Sequence, residues 1–225
     1  MTGDTHLITF KYVDAVPIHN FIRLLITTNH AWAVPVGLRG RRFAVWRVGE
    51  DHIGDKPYFA ALDAQMDHGG REALLYFLLN YDYSQIDLRS VPLTEALLEQ
   101  KRFSMEPEAK WWLEVLNSGR IPARREIGGG TAYSKEDLYK AYIEHAGMTG
   151  ARYRAVQTQL GSFLKGHVPG LHNKQKRKFR NLTTGRVGTG KGWSFPTLET
   201  CRAAFEKKMG QAFPWEDGND ERYWE

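Results

Sequence analysis

The sequence predicts a mixed α/β (α+β) chain: core strands first, then a helical bundle, then a small domain of helices and a hairpin. Three observations predict it. Two apolar, β-branched runs lie between residues 21 and 48. Apolar residues then recur at helical spacing between Asp55 and Asn117. After Gly128-Gly129-Gly130, a capped helix leads to a strongly basic stretch and a glycine-rich turn. The expected divisions are residues 1–50, 51–127 and 131–225.

Phe10 to Asn20, FKYVDAVPIHN, reads as a hairpin with Asp14-Ala15 near its turn and Pro17 near its return. Phe21 to Thr28 reads as a buried strand that delivers Asn29 at its tip. Arg42 to Val48 alternates and reads as a second strand. Asp55 to Asp67 and Arg71 to Tyr81 read as helices punctuated by Gly69-Gly70. In the second, Leu74, Leu75, Leu78 and Leu79 make an apolar face. Thr94 to Lys101 and Pro107 to Asn117 are further helices, with Ser104 and Pro107 marking the start of the latter.

The triple glycine is a linker or hinge. Ser134, with acidic residues two and three positions on, caps a helix expected to run to about Ala146 and end at Gly147. Arg152 to Leu164 is a second helix. Phe179 to Thr183 and Gly192 to Phe195 read as short strands around a glycine-rich turn, and Thr197 to Met209 as a last helix. Helices followed by a basic hairpin are the plan of a winged-helix module. In that plan one helix reads a groove and the hairpin touches backbone phosphates.

Composition narrows the function classes. Of 225 residues, 42% are hydrophobic and 25% charged, the balance of a globular protein. The single cysteine, Cys201, excludes an internal disulfide framework and fits a reducing compartment. MTGDTHLITF lacks the basic and apolar regions of a signal peptide, and no run approaches the roughly 20 apolar residues of a membrane span. A cytoplasmic protein without a membrane partner is expected. Net charge is +5 with a pI of about 9.2. Positive charge concentrates in KQKRKFR, Lys174 to Arg180, and acidic residues gather from Glu216 to Glu225. Such a basic run attracts phosphates of DNA or RNA, although a solvated surface loop carries the same composition.

The candidate binding residues follow from that charge. Lys174, Lys176, Arg177, Lys178 and Arg180, with Phe179 among them, form the candidate wing. Arg152 and Arg154, on the helix expected before it, share that face.

Other chemistry finds little support. The eight histidines form no HExxH, and none pairs with cysteine at metal spacing. No metal site is expected. His167 and His172 flank a Pro-Gly turn and are surface residues. Asp63 and Asp67 share a helix face, as solvated acids do. Cys201 lies in an apolar helix as a buried thiol. Trp111 and Trp112 are adjacent and cannot share one helix face, so both are packing residues. Gly185 to Gly192, GRVGTGKG, has the GxxxxGK spacing of a phosphate-binding loop. It lacks the following Ser/Thr and runs into Trp-Ser-Phe-Pro, so it reads as a hairpin loop.

One pattern points to catalysis. An apolar strand ending in an asparagine can present that amide to an attacking water beside a terminal phosphate, and an arginine one connection on can stabilise the transition state. An asparagine closing a strand is also a common turn former. Arg41 and Arg42, about a dozen residues later, give the catalytic reading its weight.

The segment KYVDAVPIHNFIRLLITTNHAWAVPVGLRGRRFAVWRV resembles the last part of a superfamily 3 helicase motor, an AAA+ core found in phage and plasmid primase–helicases. Gly69 to Leu75, Pro92 to Lys101 and GWSFPTLETCRAAFE (Gly192 to Glu206) are similar to the helical and C-terminal segments of those replication proteins, in the same order.

The resemblance implies roles. Asn29 would be the sensor-1 asparagine. Arg41 would be the finger reaching a neighbour's ATP, with Arg42 as the alternative. Lys11 would grip DNA in the central channel, with Tyr12 available for stacking. It also implies a homo-oligomeric ring, a hexamer, acting in DNA replication, and the host cytoplasm as its place. The family's phosphate-binding loop and acidic metal-holding strand should precede Lys11, and neither is present. The upstream motor/primase half is therefore an expected partner, together with DNA. ATP and Mg2+ are expected only in the intact motor, with no cofactor and no ATP hydrolysis for this chain alone. The competing expectation is a non-enzymatic DNA-binding replication accessory protein with a winged-helix module. A third is a decayed product whose incomplete sheet leaves an edge prone to association.

Overall fold

The computed structural model describes residues 4–12, 14–87, 90–121, 125–126, 132–180 and 187–215. The expected linker at Gly128 to Gly130, the acidic residues from Glu216 and residues 181–186 lie outside them. The chain divides into two compact units, Met1–Ala33 and Val34–Glu225. The mixed helix and strand content is α+β, with small antiparallel sheets.

In the first unit, β1 (Thr5–Ile8) and β2 (Val16–His19) form a hairpin in register from Thr5↔His19 to Ile8↔Val16. The hairpin begins earlier than the sequence suggests: Phe10 to Tyr12 and Asp14 to Ala15 belong to the connection, and Pro17 lies within β2. Phe21 to Thr28 corrects the expectation of a buried strand. It pairs with no described strand, and Phe21, Leu24 and Leu25 are 81%, 68% and 89% exposed. β-branched composition favours a pleated, half-buried surface, and without a neighbouring strand it specifies none. Locally, the Asn20 side chain accepts the Ile22 N–H at 3.1 Å, a turn contact that competes with strand pairing.

In the second unit, Arg42 to Val48 is likewise no strand. It belongs to a strap over a later helix, described below. α1 (Lys56–Gln65) starts where Asp55 accepts the Tyr58 N–H, and a kink over Met66–Gly70, where His68 and Gly69 (φ 94°) leave helical geometry, separates it from α2 (Arg71–Asn80). Neither α1 nor α2 buries a residue against the described chain. α3 (Glu95–Phe103) is capped by Thr94 and α4 (Pro107–Ser118) opens on its proline. β3 (Arg120–Ile121) pairs with β4 (Arg125–Glu126). β5 (Ala132–Ser134) leads into α5 (Lys135–Met148), whose cap is Ser134 accepting the Asp137 N–H at 3.0 Å.

α6 (Gln157–His167) starts five residues later than expected, so Arg152 and Arg154 sit in the connector before it. The connector is held out of the helix because Tyr142 accepts the Ala155 N–H at 2.8 Å and Ala146 accepts the Ala151 N–H at 3.0 Å. β6 (His172–Arg180) and β7 (Val187–Ser194) are longer than the expected strands, and α7 (Leu198–Met209) follows under its Thr197 cap. The sheet order is β5-β7-β6, antiparallel throughout.

One apolar core joins α3, α4, α5, α6, α7 and β7. Trp111 and Trp112 are both fully buried because their neighbours lie on two sides of α4. Trp111 meets Tyr142 edge to face, and Trp112 stacks on Phe195. Arg202 of α7 closes α4 by donating to the carbonyls of Leu116 (2.9 Å) and Asn117 (3.2 Å), a cation at a helix C-terminus.

Candidate functional site

The basic positions of the C-terminal half surround α6 in the chain. Arg152 and Arg154 are exposed on the connector into it. Lys174, Lys176, Arg177, Lys178 and Arg180 lie in β6, so the run is a strand rather than a loop. Its register opposes Lys174 to Gly192, Arg177 to Gly190, Lys178 to Thr189 and Arg180 to Val187, with an irregularity between Lys174 and Arg177. Glycines on β7 thus face two of the basic positions. Val187 to Gly192 of the GxxxxGK-like segment is part of β7, so its expectation as a hairpin loop is corrected from Val187 onward.

In the first unit, Lys11 and Tyr12 occupy the connection of the β1–β2 hairpin. Tyr12 has φ 66° and is 91% exposed. The Lys11 ammonium stands 5.0 Å from its ring centroid, a cation–π pair presented to solvent. Asn29 is exposed in a bend beside the Thr28 hydroxyl, which accepts the His30 N–H at 3.1 Å. It follows an unpaired segment, not the tip of a strand.

Arg41 and Arg42 belong to the second unit. With Arg39 they line a concavity of about 300 Å³ at the Gly37–Gly40 turn. Sequence reasoning passed over Arg39. The spacing RGRR was its signal, because a glycine between arginines lets the chain turn back on itself.

Three further groups define the electrostatics. Lys101 is fully buried and donates to the Met209 carbonyl at 2.8 Å, at the C-terminus of α7; burial lowers its pKa. Cys201 is buried and its thiol is pushed up to about 12, which leaves it a core residue without nucleophilic character. His167 is half-buried against Phe163, not a surface residue, and burial lowers its pKa. Among the described residues, no group of three His, Cys, Asp or Glu could hold a metal ion, and no helix is long and apolar enough to cross a membrane. Comparison of the chain with protein-family models, curated proteins and solved structures gives no significant match.

Proposed function

We propose that the chain is the C-terminal, DNA-binding part of a phage or plasmid superfamily 3 replicative helicase, with a winged-helix-like module over residues 131–225. The element order supports the module best: β5, α5, α6, β6 and β7 in sequence, with β7 pairing both β5 and β6. In such an arrangement α6 enters a groove, while the β6–β7 hairpin meets phosphates beside it. In this reading the basic positions of β6 and of the connector before α6 supply those contacts.

The sequence resemblance supplies the motor roles. Asn29 orients water, Arg41 or Arg42 serves a neighbour's ATP and Mg2+ site in a ring, and Lys11 with Tyr12 grips a single strand. A second reading, an accessory DNA-binding protein without catalysis, is favoured by one observation: Phe21 to Thr28 and Arg42 to Val48 pair with no strand among the described residues.

Fluorescence anisotropy of the full chain on labelled duplex and single-stranded DNA tests the module. The variant Lys174→Gln, Lys176→Gln, Arg177→Gln, Lys178→Gln, Arg180→Gln should lose at least tenfold in affinity. Its salt slope on duplex should become shallower by roughly 0.9 for each phosphate contact removed. Unchanged affinity and slope would sink the module.

A further inference from the structure

Residues 34–47 run past α3 without entering a sheet, and α3 holds them on both sides of the arginine turn. Before the turn, the Val34 N–H donates to Gln100 Oε1 at 3.3 Å and the Val36 N–H to Ser104 Oγ at 3.0 Å. After it, Thr94 Oγ1 donates to the Val45 carbonyl at 2.5 Å, and Arg47 Nη2 meets Glu99 Oε2 at 2.7 Å. Between these anchors the Gly40 N–H donates to the Gly37 carbonyl at 2.7 Å. A Cβ on Gly40 would stand 2.3 Å from Val36 Cγ1, and Val36 is 1% exposed, with no room to yield. Packing therefore fixes the turn.

The concavity at this turn is lined by Arg39, Arg41 and Arg42 and by no acidic side chain. No ion pair among the described residues neutralises the three guanidiniums. The concavity is open to solvent and has a volume of about 300 Å³. Guanidinium forks match phosphate oxygens in charge and geometry.

We propose that Arg39, Arg41 and Arg42 form a site for a multiply charged phosphate ligand, and that Gln100 and Ser104 are its positioning residues. The site rests on the phosphate-facing role given to Arg41 and Arg42 above and adds Arg39 and α3 to it. The same chemistry is offered by the terminal phosphates of a nucleoside triphosphate and by successive phosphates of a DNA strand.

The test is calorimetric titration of the full chain with tripolyphosphate. Saturable binding is expected, weakened at least tenfold in Arg39→Ala and in Arg41→Ala. Ser104→Ala and Gln100→Met, which remove the acceptors, should weaken it severalfold in protein that remains folded by circular dichroism, and Ser104→Thr should restore it. A merely structural role would lower the melting temperature and leave the affinity of the folded protein unchanged. Competition identifies the source: whichever of ATP or a short oligothymidylate displaces tripolyphosphate at the lower concentration is the ligand. Displacement by neither, or parental affinity in Arg39→Ala, overturns the site. Failure of ATP turnover in a reassembled motor would leave this binding intact, so the two outcomes are separable.

Discussion

Individual side chains carry the pH dependence of this fold. Burial lowers the pKa of His145, opposed by Glu114. It also lowers that of His167, opposed by the hydrogen bond to the Phe163 carbonyl and reinforced by Lys208 and Arg39. In the unfolded chain both imidazoles titrate near their ordinary value of about 6.5. As pH falls through that value, the unfolded chain binds protons that the folded chain refuses, and stability is lost until the lowered folded values are passed. Thermal melts should therefore give a lower Tm near pH 5 than near pH 7.5, and His145→Gln with His167→Gln should flatten that difference. An identical pH dependence in the double variant would contradict this. Some residue roles were legible and others were not. Cys201 reads as buried from its apolar helix. Lys101, by contrast, is an exposed residue by composition and is buried only because α7 ends a carbonyl beside it.

At the scale of elements, the helices were legible because their signals are local. Thr94, Ser134 and Thr197 are each followed three residues on by the backbone N–H that their side chains accept. The strands expected between residues 21 and 48 do not form, because a strand needs a partner that sequence periodicity cannot supply. The start of α6 was misplaced for a related reason: the Tyr142 hydroxyl that holds the connector comes from α5, 13 residues away. Close packing of α6 on the sheet gives a direct test. A Cβ at Gly161 would stand 3.1 Å from Trp193 Cη2. Alanine there gains up to about 1 kcal/mol of helix propensity, which offsets the tight contact. Gly161→Val adds two more methyl groups against the indole and should cost roughly 1–3 kcal/mol in urea denaturation, with Gly161→Ala near neutral. A valine variant as stable as the parent would show that the indole yields freely.

For the molecule as a whole, α3 links the two proposed activities. It anchors the arginine turn through Gln100 and Ser104, and it meets the end of α7 through Lys101. Additional contact comes from Gln211, whose side chain donates to the Thr94 carbonyl at 3.1 Å. A motor in which DNA engagement and phosphate contact communicate would use such a helix. The motor reading is drawn from the order of segments alone, whereas the contacts of α3 join residues 49 or more positions apart and leave no mark in a local motif. The most direct measurement is ATP turnover with single-stranded DNA, by this chain alone and with the segment carrying the motor's phosphate-binding loop supplied in trans. Turnover is expected only in the mixture, falling on the order of 10³-fold or more in Arg41→Ala. No turnover in the mixture, with salt-sensitive DNA binding intact, would contradict it and leave an accessory DNA-binding protein.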